Sequence, residues 1–344
     1  MPAEWEPQAA IWLSWPHNRL TWPDAQLSKV RRTYAELIRA LHAGQTICLL
    51  VNDARSEFQA SEELAGRGVD MTLVRIFRVP TCDTWIRDYG PTFVQHPESG
   101  ETAMVKWRFN AWGDKYDDLK ADDGVPREMN LVLGMKVFEA GVVLEGGSIE
   151  VNGRGSVLTT EQCLLNPNRN PHMGCAEIET VLREYLSVSN VIWLGEGIVG
   201  DDTDGHIDDV ARFVDERTVV CAVEDDPADE NHAPLLDNYQ RLMGARDQDG
   251  APLNVIQLPM PGPVTNAEGR LPASYANFYI GNDTVLVPVF GHTNDQRALE
   301  VLGTCFPGRR VVGIDCQTMV QGLGTLHCTS QQQPQAPAST FDRT

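Results

Sequence analysis

The chain has 344 residues, with 28 Lys and Arg against 48 Asp and Glu and a formal charge of −20. That acidic excess argues against nucleic acid, whose binding runs on neutralising phosphates with Lys and Arg, and against an anionic membrane surface. With 42% hydrophobic residues the chain is expected to fold into a globular body. An acidic cleft in it would concentrate a small cation, although a negative surface also serves plain solubility.

The amino-terminal run Met1-Pro2-Ala3-Glu4-Trp5-Glu6-Pro7 has no basic region and no apolar stretch, so no signal peptide is expected. No apolar run approaches the ~20 residues of a membrane span, and a cytoplasmic location follows as an expectation. The eight cysteines, at 48, 82, 163, 175, 221, 305, 316 and 328, form no CxxC. They are read as reduced thiols, most of them in the core, with no metal site.

In chain order, Ala10 to Trp15 is a predicted strand, a helix carries Leu27, Val30, Tyr34, Leu37, Ile38 and Leu41, and Thr46 to Val51 is the next strand. Thr92 to Gln95 and Ala103 to Arg108 form a hairpin, and the polar stretch Lys115 to Asn130 reads as a long loop. Ser148 to Gly155 and Val157 to Thr159 form a second hairpin, followed by a helix with Ile178, Val181, Leu182, Tyr185 and Leu186 and the strand Val191 to Leu194. The unit returns with Ile207 to Val214, Thr218 to Val223, a helix bearing Leu235 to Met243, and Asn254 to Leu258. It returns again with Ala276 to Ile280, Thr284 to Val289, a helix opened by the capping-box pattern Thr293-Asn294-Asp295-Gln296, and Arg310 to Ile314. Thr325 to Ser330 is a last strand without a local partner, and pairing it with Ala10 to Trp15 would close a ring and remove two free edges. The pattern is about five ββαβ units of ~70 residues, which suits a closed circular array. The expectation is a single domain over residues 1–334, with a polar tail at 335–344.

Five polar positions recur beside the starts of these hairpins: Asp88, Glu145, His206 with Asp208, Asn277, and Cys328 in the closing strand. Singly, each has a plain structural reading, as an ion pair, a structural imidazole or a core thiol. Together they place carboxylates, an imidazole, an amide and a thiol at one end of a common axis. Cys328 with His206 is a thiol nucleophile with a proton-transfer partner. Two Asp side chains suit a planar guanidinium, which they hold by paired charge-assisted hydrogen bonds. A cation held there would lower the thiol pKa, so that substrate activates its own nucleophile. Asp201-Asp202-Thr203-Asp204 is a solvated turn or a metal loop, but lacks the Glu an EF-hand requires.

At these residues the sequence resembles the agmatine deiminase family of guanidine-modifying enzymes, over nearly its whole length. The resemblance is carried by Pro2 to Pro7, Trp85-Ile86-Arg87-Asp88-Tyr89-Gly90-Pro91, Trp107 to Gly113, Glu145-Gly146-Gly147-Ser148-Ile149, Thr159 to Asn166, Asp202 to Asp208, and His327-Cys328-Thr329-Ser330-Gln331-Gln332. It implies an α/β fold, specifically a five-bladed α/β propeller with pseudo-fivefold symmetry. It also implies attack of Cys328 on the guanidinium carbon, proton transfer by His206, support of His206 by Glu145, and a grip on the guanidinium by Asp88 and Asp208. Asn277 matches a position lining the site, and Trp85 and Trp112 are candidates to wall the alkyl chain. No metal or organic cofactor is implied. The implied partner is a small cationic guanidine, agmatine, and a homo-oligomer is possible. The sequence departs from the family in Gly322-Leu323-Gly324-Thr325-Leu326, where relatives carry Gly-Gly-Gly-Asn-Ile, and in Asp114, where a second Gly is usual. The nucleophile loop is therefore expected to be stiffer or differently shaped. The related bacterial peptidylarginine deiminases act outside the cell, so the missing export signal favours agmatine. Arginine or peptidyl arginine, a Cys-His amidase, and an inactive binding module stay open as alternatives.

Overall fold

Thr218–Val223 and Thr284–Val289 are nearly unbroken apolar runs, and in the computed structural model, which describes residues 1–336, every residue of the first is buried. Runs of that kind belong to strands covered on both faces. Each is the middle strand of a three-stranded sheet, with an antiparallel neighbour on one side and a parallel neighbour on the other. In one sheet the flanking strands are Ala211–Phe213 and Asn254–Pro259; in the other they are Tyr279–Ile280 and Arg310–Asp315. The same order recurs in Thr92–Gln95, Thr102–Arg108, Lys136–Val143 and in Glu150–Val151, Ser156–Thr160, Asn190–Leu194. A further sheet runs Ser330–Pro334, Gln8–Ser14, Thr46–Val51, Val74–Arg78, its first pair antiparallel and the rest parallel. The architecture is thus α/β with five mixed sheets.

Parallel neighbours require a crossover. Helices Asp24–Leu41, Cys175–Leu186, His232–Gly244 and Asp295–Cys305 supply it, each with an apolar face against its sheet. In Asp24–Leu41 that face is Leu27, Val30, Tyr34, Leu37, Ile38 and Leu41, all buried. Among the described residues no helix is long and apolar enough to cross a membrane.

Several expectations need correction. Lys115 to Asn130 is not a loop: Asp117–Gly124 is a 3-10 helix and Val125–Leu133 an α-helix, with Pro126 in its first turn and left-handed Gly134 ending it. Its apolar positions are few because only Leu119, Val125, Pro126 and Met129 face inward. The closing strand begins at Ser330, not Thr325, and its register sets Trp12 against Gln331. Cys328 therefore lies in the turn before that strand, freed from ladder pairing. The first sheet gains a fourth strand, Val74–Arg78, through a second crossover helix, Ala54–Ala65, which Asp53 and Ser56 cap reciprocally. No capping box forms before Asp295–Cys305. The Asp295 carboxylate instead accepts the backbone N–H groups of Phe290, Gly291 and His292 and the Tyr275 hydroxyl, which fixes the entry to the helix from within its first turn. Of the predicted tail 335–344, residues beyond 336 lie outside the described ones.

The segments that enter the first strands meet one another. The short helix Ile86–Tyr89 touches the 3-10 turn Gly146–Ser148, which touches the 3-10 turn Ile207–Asp209. Beneath them is a buried ionic core. Arg212 donates to Glu150 Oε2 at 2.9 Å and Glu4 Oε1 at 3.0 Å, and Arg87 donates to Glu4 Oε2 at 3.2 Å. Full burial of charges is tolerated only where each is paired and hydrogen-bonded, as these are.

Candidate active site

Asp88 projects from Ile86–Tyr89, just before the strand Thr92–Gln95. Its Oδ1 accepts the Gly147 N–H at 3.0 Å and its Oδ2 the Trp112 indole N–H at 3.0 Å. Glu145 precedes the turn Gly146–Ser148, His206 precedes Ile207–Asp209, and Asp208 lies within that turn. A methyl group built on Gly147 would lie 2.5 Å from His206 Nδ1, 2.8 Å from Asp88 Oδ1 and 3.2 Å from Asp208 Oδ2. Three of the predicted side chains thus converge on one point, and only a glycine leaves that space open. Asp208 Oδ2 is in turn 4.0 Å from Cys328 Sγ.

Cys328 is held from one side by Asn277, whose Nδ2 lies 3.1 Å from Sγ. The Asn277 carbonyl oxygen accepts the Thr325 hydroxyl at 2.7 Å and the His327 N–H at 3.0 Å. Asn277 therefore organises the nucleophile turn; like Glu145, His206 and Asp208, it lies behind the cavity lining, which Asp88, Cys328, Trp85 and Trp112 reach. On the other side of the imidazole, His206 Nε2 faces Glu145 Oε2 at 3.9 Å, and both atoms are buried without a hydrogen-bond partner. The other Glu145 oxygen accepts Arg169 Nε at 2.7 Å.

The electrostatics follow from burial and from these pairings. Burial pushes the Asp88 carboxyl up to about 6, with Asp208 and Glu145 adding to the effect against the pull of His206. Burial also opposes ionisation of Glu145, but Arg169 and His206 outweigh it and hold that carboxyl below its usual range. Burial would discharge His206, yet the neighbouring Asp88 charge and the contacts with Cys163 and Glu145 hold it well above the ordinary imidazole value. The Cys328 thiol is driven well above its usual range by burial, then by Asp208, Asp209 and Asp88. Burial and the carboxylates thus favour the protonated thiol, and the carboxylates favour the protonated imidazole. A cation entering among those carboxylates would offset them and lower the pKa of the thiol.

Cys328 and Asp88 line a cavity of about 220 Å³ together with Trp85, Trp112, Tyr116 and Leu323. Trp85 packs against Trp22 at 5.3 Å, and Trp112 stands edge-on to Phe109 and Tyr116, so both indoles are fixed walls. Asp83, Asp118 and Asp202 complete the acidic lining; among the described residues none of the lining side chains is Lys or Arg. The two departures from the family pattern share one geometry. Leu323 (φ +70°) and Asp114 (φ +64°) both occupy the left-handed region that glycine enters freely. The chain keeps the turn and accepts the strain of a branched side chain at the cavity wall.

Several site residues were not singled out in the sequence: Cys163 behind His206, Asp209, and the group Glu4, Arg87, Arg212 and His327. Glu4, Arg87, Cys163 and His327 lie inside the motifs quoted above. Two buried triads, Glu145–Cys163–His206 and Asp208–Asp209–Cys328, have ligand-type atoms within 4.8 Å of one another. In the first, the Arg169 guanidinium already neutralises Glu145, which opposes a second cation there. The whole set suits nucleophilic attack on a cation. A developing oxyanion next to Cys328 would meet Asp88 and Asp208, the reverse of what amide hydrolysis requires.

The fold is shared with solved structures of agmatine deiminases. The fold matches an agmatine deiminase of Enterococcus faecalis with a TM-score of 0.90 at 33% identity, covering 98% of this chain and 96% of the other. It matches a C. jejuni agmatine deiminase with substrate bound at a TM-score of 0.87 and 31% identity, covering 98% and 96%. In sequence, an agmatine deiminase of Ectopseudomonas mendocina is 37% identical over 357 aligned positions, 97% of this chain and 95% of the relative. The Porphyromonas-type peptidyl-arginine deiminase family matches residues 1–334, and the chain belongs to that family.

Proposed function

We propose that the chain is an agmatine deiminase, hydrolysing the guanidinium of agmatine to N-carbamoylputrescine and ammonia. Its residues 1–334 would form one domain, the five sheets being the blades of a closed propeller whose axis carries the site. The matching internal order of the sheets and the meeting of their entry segments support that arrangement.

Asp88 and Asp208 hold the guanidinium nitrogens, which places its carbon before Cys328 and supplies orientation. The thiol, its pKa lowered by the bound cation, releases its proton to solvent and attacks that carbon as the thiolate. A C–S bond forms, His206 donates a proton to the departing nitrogen, the C–N bond breaks, and ammonia leaves an amidino-thioether. His206, now neutral, takes a proton from water; hydroxide adds to the same carbon, the C–S bond breaks with its electron pair on sulfur, the hydroxyl proton of the adduct is lost as the thiol is reprotonated, and the ureido product departs. Glu145, anchored by Arg169, stabilises the imidazolium in each half-reaction.

The observation that carries the choice of agmatine is the acidic cavity lining, with Asp83, Asp88, Asp118 and Asp202 and no basic side chain among the described residues. It suits a dication and leaves the carboxylate of arginine unpaired. Arg169 cannot serve that carboxylate, being committed to Glu145, Asp204, Asn168 and the Thr203 carbonyl. Ammonia release should be measured on agmatine, free arginine and a blocked arginine peptide, with Cys328→Ala alongside. Turnover of arginine equal to that of agmatine would sink the substrate assignment, and activity surviving in Cys328→Ala would sink the mechanism.

A further inference from the structure

His327 precedes the nucleophile, yet its ring points away from the cavity and is buried. Its Nδ1 lies 2.6 Å from Asp208 Oδ2 and its Nε2 lies 2.9 Å from Glu4 Oε2. Both ring nitrogens thus lie within hydrogen-bond distance of carboxylate oxygens. Glu4 is held in turn: its Oε1 accepts Arg212 at 3.0 Å and the Ile280 N–H at 2.7 Å, and its Oε2 also accepts Arg87 at 3.2 Å. Arg87 Nε donates to the His327 carbonyl at 3.2 Å, so the backbone of that residue is pinned as well as its ring.

The consequence falls on Asp208. Its Oδ2 lies 2.6 Å from His327 Nδ1 and 4.0 Å from Cys328 Sγ, while its Oδ1 is buried with no partner. An oxygen stripped of water and left without a donor is an acceptor waiting for one. We propose that His327, braced from behind by Glu4, is the positioning residue that orients the Asp208 carboxylate for the substrate guanidinium. The inference rests on the assignment of Asp208 to guanidinium binding. It gives the amino-terminal segment a part in the reaction, since Glu4 reaches the site through the imidazole without touching substrate.

An amide side chain can imitate either half of the ring. His327→Asn places a donor near the Nδ1 position and keeps the bond to Asp208; His327→Gln places one near Nε2 and keeps only the bond to Glu4. Both should be assayed for agmatine turnover beside wild type and Glu4→Gln, with urea denaturation to record the folded fraction. The expected result is a loss of kcat/KM on the order of 10²-fold in His327→Gln, carried mainly by KM, as for a binding group displaced by about 1 Å. His327→Asn should stay within about tenfold of wild type, and Glu4→Gln should fall between them. Equal kinetics in the two His327 variants, per folded molecule, would overturn the proposal, because a purely structural role has no reason to prefer one half of the ring. If neither variant folds, ¹⁵N NMR of the wild-type imidazole decides: a proton on Nδ1, facing Asp208, supports the proposal, and an Nδ1 without one overturns it. Wild type inactive on every guanidine would instead sink the functional assignment itself, which separates the two failures.

Discussion

Replacing Asp88 by Asn should remove activity and yet stabilise the protein at alkaline pH. The carboxyl is raised from an ordinary 3.8 to about 6, so ionising it costs the folded state about 3 kcal/mol. The sign follows from linkage: the folded chain holds this proton more tightly than the unfolded chain. Stability therefore falls as pH rises from about 4 to about 6, and the penalty is complete above that. Asn carries no charge and escapes the penalty. It has only one carboxamide oxygen, however, for the two donors that now reach Asp88, the Gly147 N–H and the Trp112 indole N–H. The donor left facing an NH₂ group costs about 1–2 kcal/mol. The variant should thus be about 1–2 kcal/mol more stable than wild type at pH 8, and less stable by a similar amount near pH 4. Urea is the denaturant of choice, because guanidinium is itself a cation of the class this site is proposed to bind. In parallel, kcat/KM for agmatine should drop on the order of 10²- to 10³-fold with the loss of a charge-assisted contact. A stability difference that does not change with pH would refute the reasoning, since only the charge, and not the lost hydrogen bond, titrates in that window.

Gly147→Ala should leave the fold nearly intact while kcat/KM falls on the order of 10²-fold, because its methyl group would occupy the point shared by His206, Asp88 and Asp208; circular dichroism beside the ammonia assay checks both. Alkylation of Cys328 by iodoacetamide in the free protein should titrate with an apparent pKa well above 9, given the burial and the three nearby carboxyls; mass spectrometry against pH measures it, and full reactivity at pH 7 would contradict the resting neutral thiol. Arg169→Met leaves Glu145 buried without its guanidinium and should cost about 3–5 kcal/mol. The same change should raise the Glu145 pKa and move the acid limb of the kcat profile upward, and an unchanged urea midpoint would count against the pairing.

Much of this protein is legible from the order of its residues. The apolar runs Thr46–Val51, Thr218–Val223 and Thr284–Val289 end where the pattern ends, because strands buried on both faces admit no polar interruption. The recurrence of a polar residue ahead of each hairpin was equally visible, since repetition is a property of order alone. Lys115 to Asn130 was misread because its helices bury only a few side chains, too few to imprint a period on the sequence.

The sequence by itself determined that the chain builds five similar α/β units, and which residue types stand at their mouths. Only the tertiary structure decided which atoms of those residues are free. That Asp208 sets Oδ2 against His327 while Oδ1 has no partner, that Glu145 is tied to Arg169, and that Glu4 meets a residue 323 positions away are facts of contact. The physical reason is that strands set side chains by local periodicity, whereas a buried charge is satisfied by whatever partner the closed fold brings to it.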